Sequence, residues 1–166
     1  MFNHDRYERK SPYRSALFEM PELHIVIFGF LLSLPWEMLQ APFYVGMMTA
    51  PHWPAVKFCT LAAIGDAIIM LMAFCGVALG VQSRRWLLAP RRSQVAAFIA
   101  IGLGASILIE YFAIRAPWGW RYSALMPVEP LLGIALVPVL MWVIIPLLCL
   151  WFVKRQLRKP AVKELP

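Results

Sequence analysis

The chain has 166 residues, 61% of them hydrophobic and 15% charged, with a formal net charge of +7. A soluble domain runs nearer ~45–50% apolar and ~25% charged, so too little polar surface is available here to cover a water-exposed fold. The basic excess does not point to nucleic acid, because the Lys and Arg residues cluster at the edges of apolar segments, where lipid headgroups are the natural partner.

Four segments are long and apolar enough to cross the ~30 Å hydrocarbon layer, which takes ~20 residues of helix. Residues 1–22 form a polar, basic arm with no short apolar run and small-residue cleavage site, so no cleaved signal is expected. The first span covers about 23–48 and carries His24 and Glu37. The second, 58–83, has Asp66 as its only charge. The third, 93–114, has only Glu110, and the fourth, 130–153, has none. Residues 154–166 form a basic tail. The expected fold is all-α, a polytopic membrane bundle of four helices joined by short loops.

Thirteen of the sixteen Lys and Arg residues fall in the N-terminal arm, the second loop and the tail. Only Lys57, Arg115 and Arg121 fall on the other side. The positive-inside rule therefore places both termini in the cytoplasm, as expected of a multi-pass protein of the cytoplasmic (inner) membrane. Trp86 and Trp151 fit the inner interface and Trp53, Trp118 and Trp120 the outer one.

A carboxylate in hydrocarbon costs ~2.5–3.5 kcal/mol on insertion scales, so each needs a partner, a proton or a task. At ~1.5 Å of rise per residue, Glu37 and Glu110 come out ~21 and ~25 Å from the inner surface, and Asp66 ~15 Å below the outer one. A shared pocket opening outward is allowed, with Glu37, Glu110 and Asp66 as its catalytic or proton-carrying groups. Glu37, Gln40 and Tyr44 follow three- and four-residue spacing and should share a helix face. Pro35 and Pro42 bracket Glu37 and can free a carbonyl there. Ser106 precedes Glu110 by one turn, and Gly102 and Gly104 permit close helix approach. Arg115, Trp118, Trp120, Arg121 and Tyr122 would form an aromatic and cationic lid, and Trp36, Tyr111 and Trp142 aromatic walls. The alternative for the carboxylates is interhelical hydrogen bonding alone, and for Arg115 and Arg121 pairing with Glu110 or Glu129.

Cys59, Cys75 and Cys149 show no metal or disulfide spacing, and the methionines suit packing. No metal or cofactor is expected. Nucleotide, zinc-protease and serine-hydrolase motifs are absent from the sequence.

The layout from Glu110 to Trp142 is similar to that of membrane carotenoid hydratases and the related small membrane lycopene cyclases. An acidic residue ends one span, W-G-W-R-Y (118–122) follows, then Met126-Pro127, Gly133, Pro138 and Trp142. The likeness spans 33 of 166 residues and does not include the cyclases' paired carboxylates. It implies an isoprenoid-binding bundle whose carboxylates protonate a polyene double bond, with Glu110 as the acidic residue and Trp120 and Tyr122 as the aromatic turn. As a whole the chain also resembles a bacterial family of four-span membrane proteins, which implies no activity.

Three functions stay open on these residues. One is a lipid-pocket protein or enzyme for an apolar, isoprenoid-like substrate. Another is a small proton-coupled transporter working through Glu37 or Asp66 as an oligomer. The third is an accessory subunit of a larger membrane complex, with no chemistry. The expected partners are membrane lipids, such an apolar ligand, and further membrane subunits.

Overall fold

The computed structural model describes residues 20–117 and 119–158; Trp118 and the greater part of both the N-terminal arm and the basic tail lie outside them. Among the described residues there are four α-helices: α1 (Pro21–Gln40), α2 (His52–Gly80), α3 (Arg92–Ala113) and α4 (Leu136–Leu157). All four are long and apolar enough to cross a membrane. The chain is an integral, multi-pass membrane protein.

Local chemistry sets the helix ends. Pro21 opens α1, where its missing N–H costs nothing. Helix α1 stops at Gln40 rather than running to Met48: Ala41 is still helical and donates to Glu37 O, but Pro42 has no N–H to continue the ladder; a short 3-10 turn (Ala41–Phe43) follows and Tyr44 is extended. Pro51 precedes α2, which starts at His52 rather than Phe58. Helix α3 is entered after Pro90, with the Gln94 side chain accepting the Arg91 backbone N–H at 2.8 Å. Helix α4 begins at Leu136 rather than Pro130. The Glu129 carboxylate accepts the Leu131 and Leu132 amides at 2.6 and 2.7 Å, and Gly133 takes a positive φ of 70°, so this stretch is held as a turn.

Helix α1 packs on α2 and α4, and α3 packs on the same two, so α1 and α3 sit on opposite corners of a four-membered ring. The outer faces keep their large apolar side chains exposed, among them Leu31, Ile68, Leu79, Leu108, Phe112 and Leu140. A water-soluble surface does not tolerate a patch of that extent, and lipid covers it.

The two ends of the ring close differently. At one end the α2–α3 loop turns its Trp86–Leu88 segment inward onto Phe74 and Phe98. At the other, the α1–α2 and α3–α4 loops pair through a bridge between Tyr44 and Tyr122, with Val45 N–H donating to Arg121 O and Ser123 N–H to Phe43 O, both at 2.9 Å.

Candidate functional site

Beneath the paired loops lies a cavity of about 360 Å³. All four helices contribute to it. Glu37 and Gln40 come from α1, and Asp66 with Phe58, Leu61, Gly65 and Ile69 from α2. Helix α3 adds Ser106, Ile109 and Glu110, and α4 adds Pro138, Met141 and Trp142. Tyr44 and Trp120 reach in from the loops. The lining is mostly apolar, as ligand cavities are, with a few convergent polar groups.

Two of the carboxyls are organised differently from the third. Glu110 is buried, and both its oxygens are filled: Trp120 Nε1–H donates to Oε2 at 3.1 Å and the Tyr122 hydroxyl to Oε1 at 2.6 Å. The Tyr122 oxygen in turn accepts the Ala135 amide at 3.2 Å. Burial, and then the carboxylate acceptor, hold the Tyr122 phenol above its usual range, so it stays a donor. Glu110 thereby ties the α3–α4 loop and the start of α4 to the end of α3.

Glu37 is buried and accepts Gln40 Nε2–H at 2.6 Å, while Gln40 Oε1 accepts Trp36 Nε1–H at 3.1 Å. Its carboxyl is within reach of that of Asp66 across the α1–α2 contact. Asp66 Oδ2 and the Ser33 hydroxyl, one turn before Glu37, are buried and make no hydrogen bond of ordinary geometry among the described residues, although the two lie near enough to interact. Trp142 Nε1–H, in the same cavity wall, is also unpaired. A buried polar atom without a partner costs ~1–3 kcal/mol, so it marks a place where water or a ligand group is expected. No three His, Cys, Asp or Glu side chains among the described residues come close enough to hold a metal ion.

Of the residues singled out in the sequence, Glu37, Asp66, Glu110, Gln40, Tyr44, Ser106, Trp120 and Trp142 line the cavity. Tyr122 stands behind Glu110. Two expected wall residues do not line it. Tyr111 is next to inward-facing Glu110, and one helical residue turns ~100°, so its ring points elsewhere and carries the Arg115 guanidinium at 3.7 Å. Arg121 is exposed, because in the extended W-R-Y stretch alternate side chains point opposite ways and Trp120 and Tyr122 take the inward side. Trp36 acts through Gln40 rather than as a wall. Trp118 is outside the described residues. Arg115 does not pair with Glu110 or Glu129; it donates to the Tyr111 and Leu132 carbonyls at 2.9 and 3.2 Å.

Gly102 does allow close approach, since a Cβ there would run into the Trp142 ring; at Gly104 nothing lies within 4 Å of one. The α2 wall (Phe58, Leu61, Gly65, Ile69) had a usable signal in its three- and four-residue spacing through Asp66.

Comparison with protein-family models, with curated proteins and with solved structures finds no match to this chain.

Proposed function

We propose that this is an inner-membrane protein, with both termini cytoplasmic, whose outward-lying cavity receives an apolar, isoprenoid-like molecule and presents carboxyl groups to it. The observation that carries the reading is the convergence of Glu37, Asp66 and Glu110, from three different helices, on one predominantly apolar cavity. Charges in a membrane interior mark function unless they are fully satisfied locally.

That condition divides the three. Glu110, filled by Trp120 and Tyr122, orders the lid. Glu37 and Asp66 lack that saturation and face the same cavity from neighbouring helices, so on this reading they are the pair that would deliver a proton. Such a proton facing an apolar cavity suits general-acid chemistry on a double bond, with the faces of Trp120 and Trp142 available to a developing cation. The likeness of residues 110–142 to the carotenoid hydratases and lycopene cyclases implies the same substrate class, but with Glu110 as the acid in place of Glu37 or Asp66.

A second reading, an accessory subunit without chemistry, is favoured at one point only: the Glu110 network has the closed form of a structural tie.

Gly65 supplies a direct test. It lines the cavity, and a Cβ there meets nothing within 4 Å, so Gly65→Phe should fill the space while sparing the fold. Wild-type protein extracted from its native membrane in mild detergent should carry an isoprenoid or polyene detectable by mass spectrometry, and Gly65→Phe should lose it. Wild-type protein that carries no such molecule, or a plugged variant that retains it, would sink the proposal.

A further inference from the structure

At the end of the bundle away from the carboxylates, the α2–α3 loop frames a second recess of about 460 Å³, lined in part by Ser83, Arg85, Trp86, Arg91 and Gln94. The sequence of the loop explains it. After Gly80 the chain reverses through Gln82, which adopts a positive φ of 54°. It then sends Trp86 and Leu87 into the core, 4% and 1% exposed. Trp86 stacks on Phe74 at 5.7 Å and leans on Phe98 at 6.0 Å. Burying the middle of the loop forces its basic flanks outward, Arg84 and Arg85 before it and Arg91 and Arg92 after.

These arginines are not equivalent. Arg84 is paired with Glu22 at 2.6 Å. Arg85 and Arg91 have no carboxylate partner among the described residues, and both border the recess. Arg91 is also the cap residue of the 22-residue helix α3, whose first-turn N–H groups add positive potential at the same place. Trp86 Nε1–H is buried with no acceptor. Val81, just past the end of α2, borders the recess as an exposed apolar side chain, and Leu79 in the last turn of α2 is exposed near it in sequence.

We propose that this recess binds the phosphate group of an anionic phospholipid, held by Arg85 and Arg91, with the acyl chains lying over Leu79 and Val81. Guanidinium forks match phosphate oxygens in pairs. A basic recess between two spanning helices at headgroup level is where an anionic lipid meets both a charged anchor and an apolar wall. A free phosphate offers the same anchor chemistry but nothing for the apolar wall.

Native mass spectrometry of the full-length protein, titrated with phosphatidylglycerol and with phosphatidylcholine, tests this. Phosphatidylglycerol should be retained and phosphatidylcholine should not. Arg85→Gln with Arg91→Gln should weaken retention about tenfold or more, the worth of one charge-assisted bond, with thermal unfolding unchanged because both side chains are exposed. Lys154→Gln with Arg155→Gln, basic residues on α4 outside the recess, should leave retention nearly as it was. Equal retention by the Arg85/Arg91 variant, or equal loss in the Lys154/Arg155 variant, overturns the site in favour of a diffuse basic surface. Displacement of the lipid by inorganic phosphate at millimolar concentration, with equal thermal stabilisation, assigns the recess to a free anion and overturns the lipid source.

Discussion

Around Ile25, Phe74, Phe98, Cys149 and Val153 the bundle is filled with apolar side chains that have no solvent exposure at all. Around Glu37, Asp66 and Glu110 the same four helices enclose carboxyls, unpaired polar atoms and a cavity of about 360 Å³. Trp142 stands between the two regions: it lines the cavity and presses its ring on Gly102. In lipid, moving an apolar group from the chain's surface to its interior gains little, so helix association depends on close packing and hydrogen bonds. The packed half therefore supplies the stability against which the polar half can hold imperfectly satisfied groups.

The largest expected effect lies in the packed half. Phe74→Ala removes a fully buried ring that stacks on Trp86. The cost should be about 3 kcal/mol, the low end of the range for soluble cores, because lipid accepts the ring that the core loses. Reversible unfolding in mixed micelles measures it. A cost below that of the polar-half variants would invert the comparison.

At the boundary, Gly102→Ala should cost about 2 kcal/mol, since an aromatic ring wedged between helices cannot yield as a flexible chain can. Gly104→Ala, with nothing within 4 Å of the added Cβ, should be neutral or slightly stabilising through helix propensity. If both glycines respond alike to alanine in the same unfolding assay, close approach at Trp142 is not what Gly102 provides.

The spans were legible because runs of about twenty apolar residues have no other use. Their ends were less so. Proline effects at Pro42 and Pro51 and the Glu129 turn are local, and hydropathy averages over them. The carboxylates stood out because each is an exception in its span. Which neighbours they would meet depended on phase. Tyr111 and Arg121 adjoin inward-facing residues in sequence and so turn away from the cavity in space. The α2 wall is hard to read from sequence because α2 is apolar all round. The side that meets the bundle carries Cys59, Ala63, Ala67, Met70 and Phe74 at three- and four-residue spacing, with Asp66 beside it. That Glu110 is saturated while Asp66 is not depends on the fold of the loop between α3 and α4, and no spacing rule reports it.

Within the polar half, Tyr122→Phe deletes the 2.6 Å bond to Glu110 and should cost about 1 kcal/mol. The pH dependence has a definite sign. The folded phenol is raised above its usual range, so its contribution is complete below about pH 10, where the unfolded phenol begins to ionise. It is lost as pH rises through the folded value. Wild type should thus lose more stability than Tyr122→Phe on going from neutral to strongly alkaline buffer. Parallel curves for the two proteins would remove Tyr122 from the Glu110 tie.

The smallest effect on stability is expected where the functional effect is greatest. Asp66 carries a buried oxygen with no hydrogen bond of ordinary geometry and has Glu37 beside it. Asp66→Asn preserves the shape, removes one of two neighbouring acidic groups and supplies an N–H that Glu37 can accept. The change in unfolding free energy should stay within about 0.5 kcal/mol, or even favour the variant. Glu110→Gln cannot accept both Trp120 and Tyr122 as a carboxylate does, so it should destabilise more than Asp66→Asn. If Glu37 and Asp66 share a working proton, Asp66→Asn abolishes complementation of a deletion strain while the protein stays folded, because an amide cannot deliver that proton. If the carboxyls only hold helices together, the order reverses: Asp66→Asn complements fully and Glu110→Gln is the variant that fails. Measuring stability and complementation on the same two proteins therefore separates a proton-carrying pair from a structural tie.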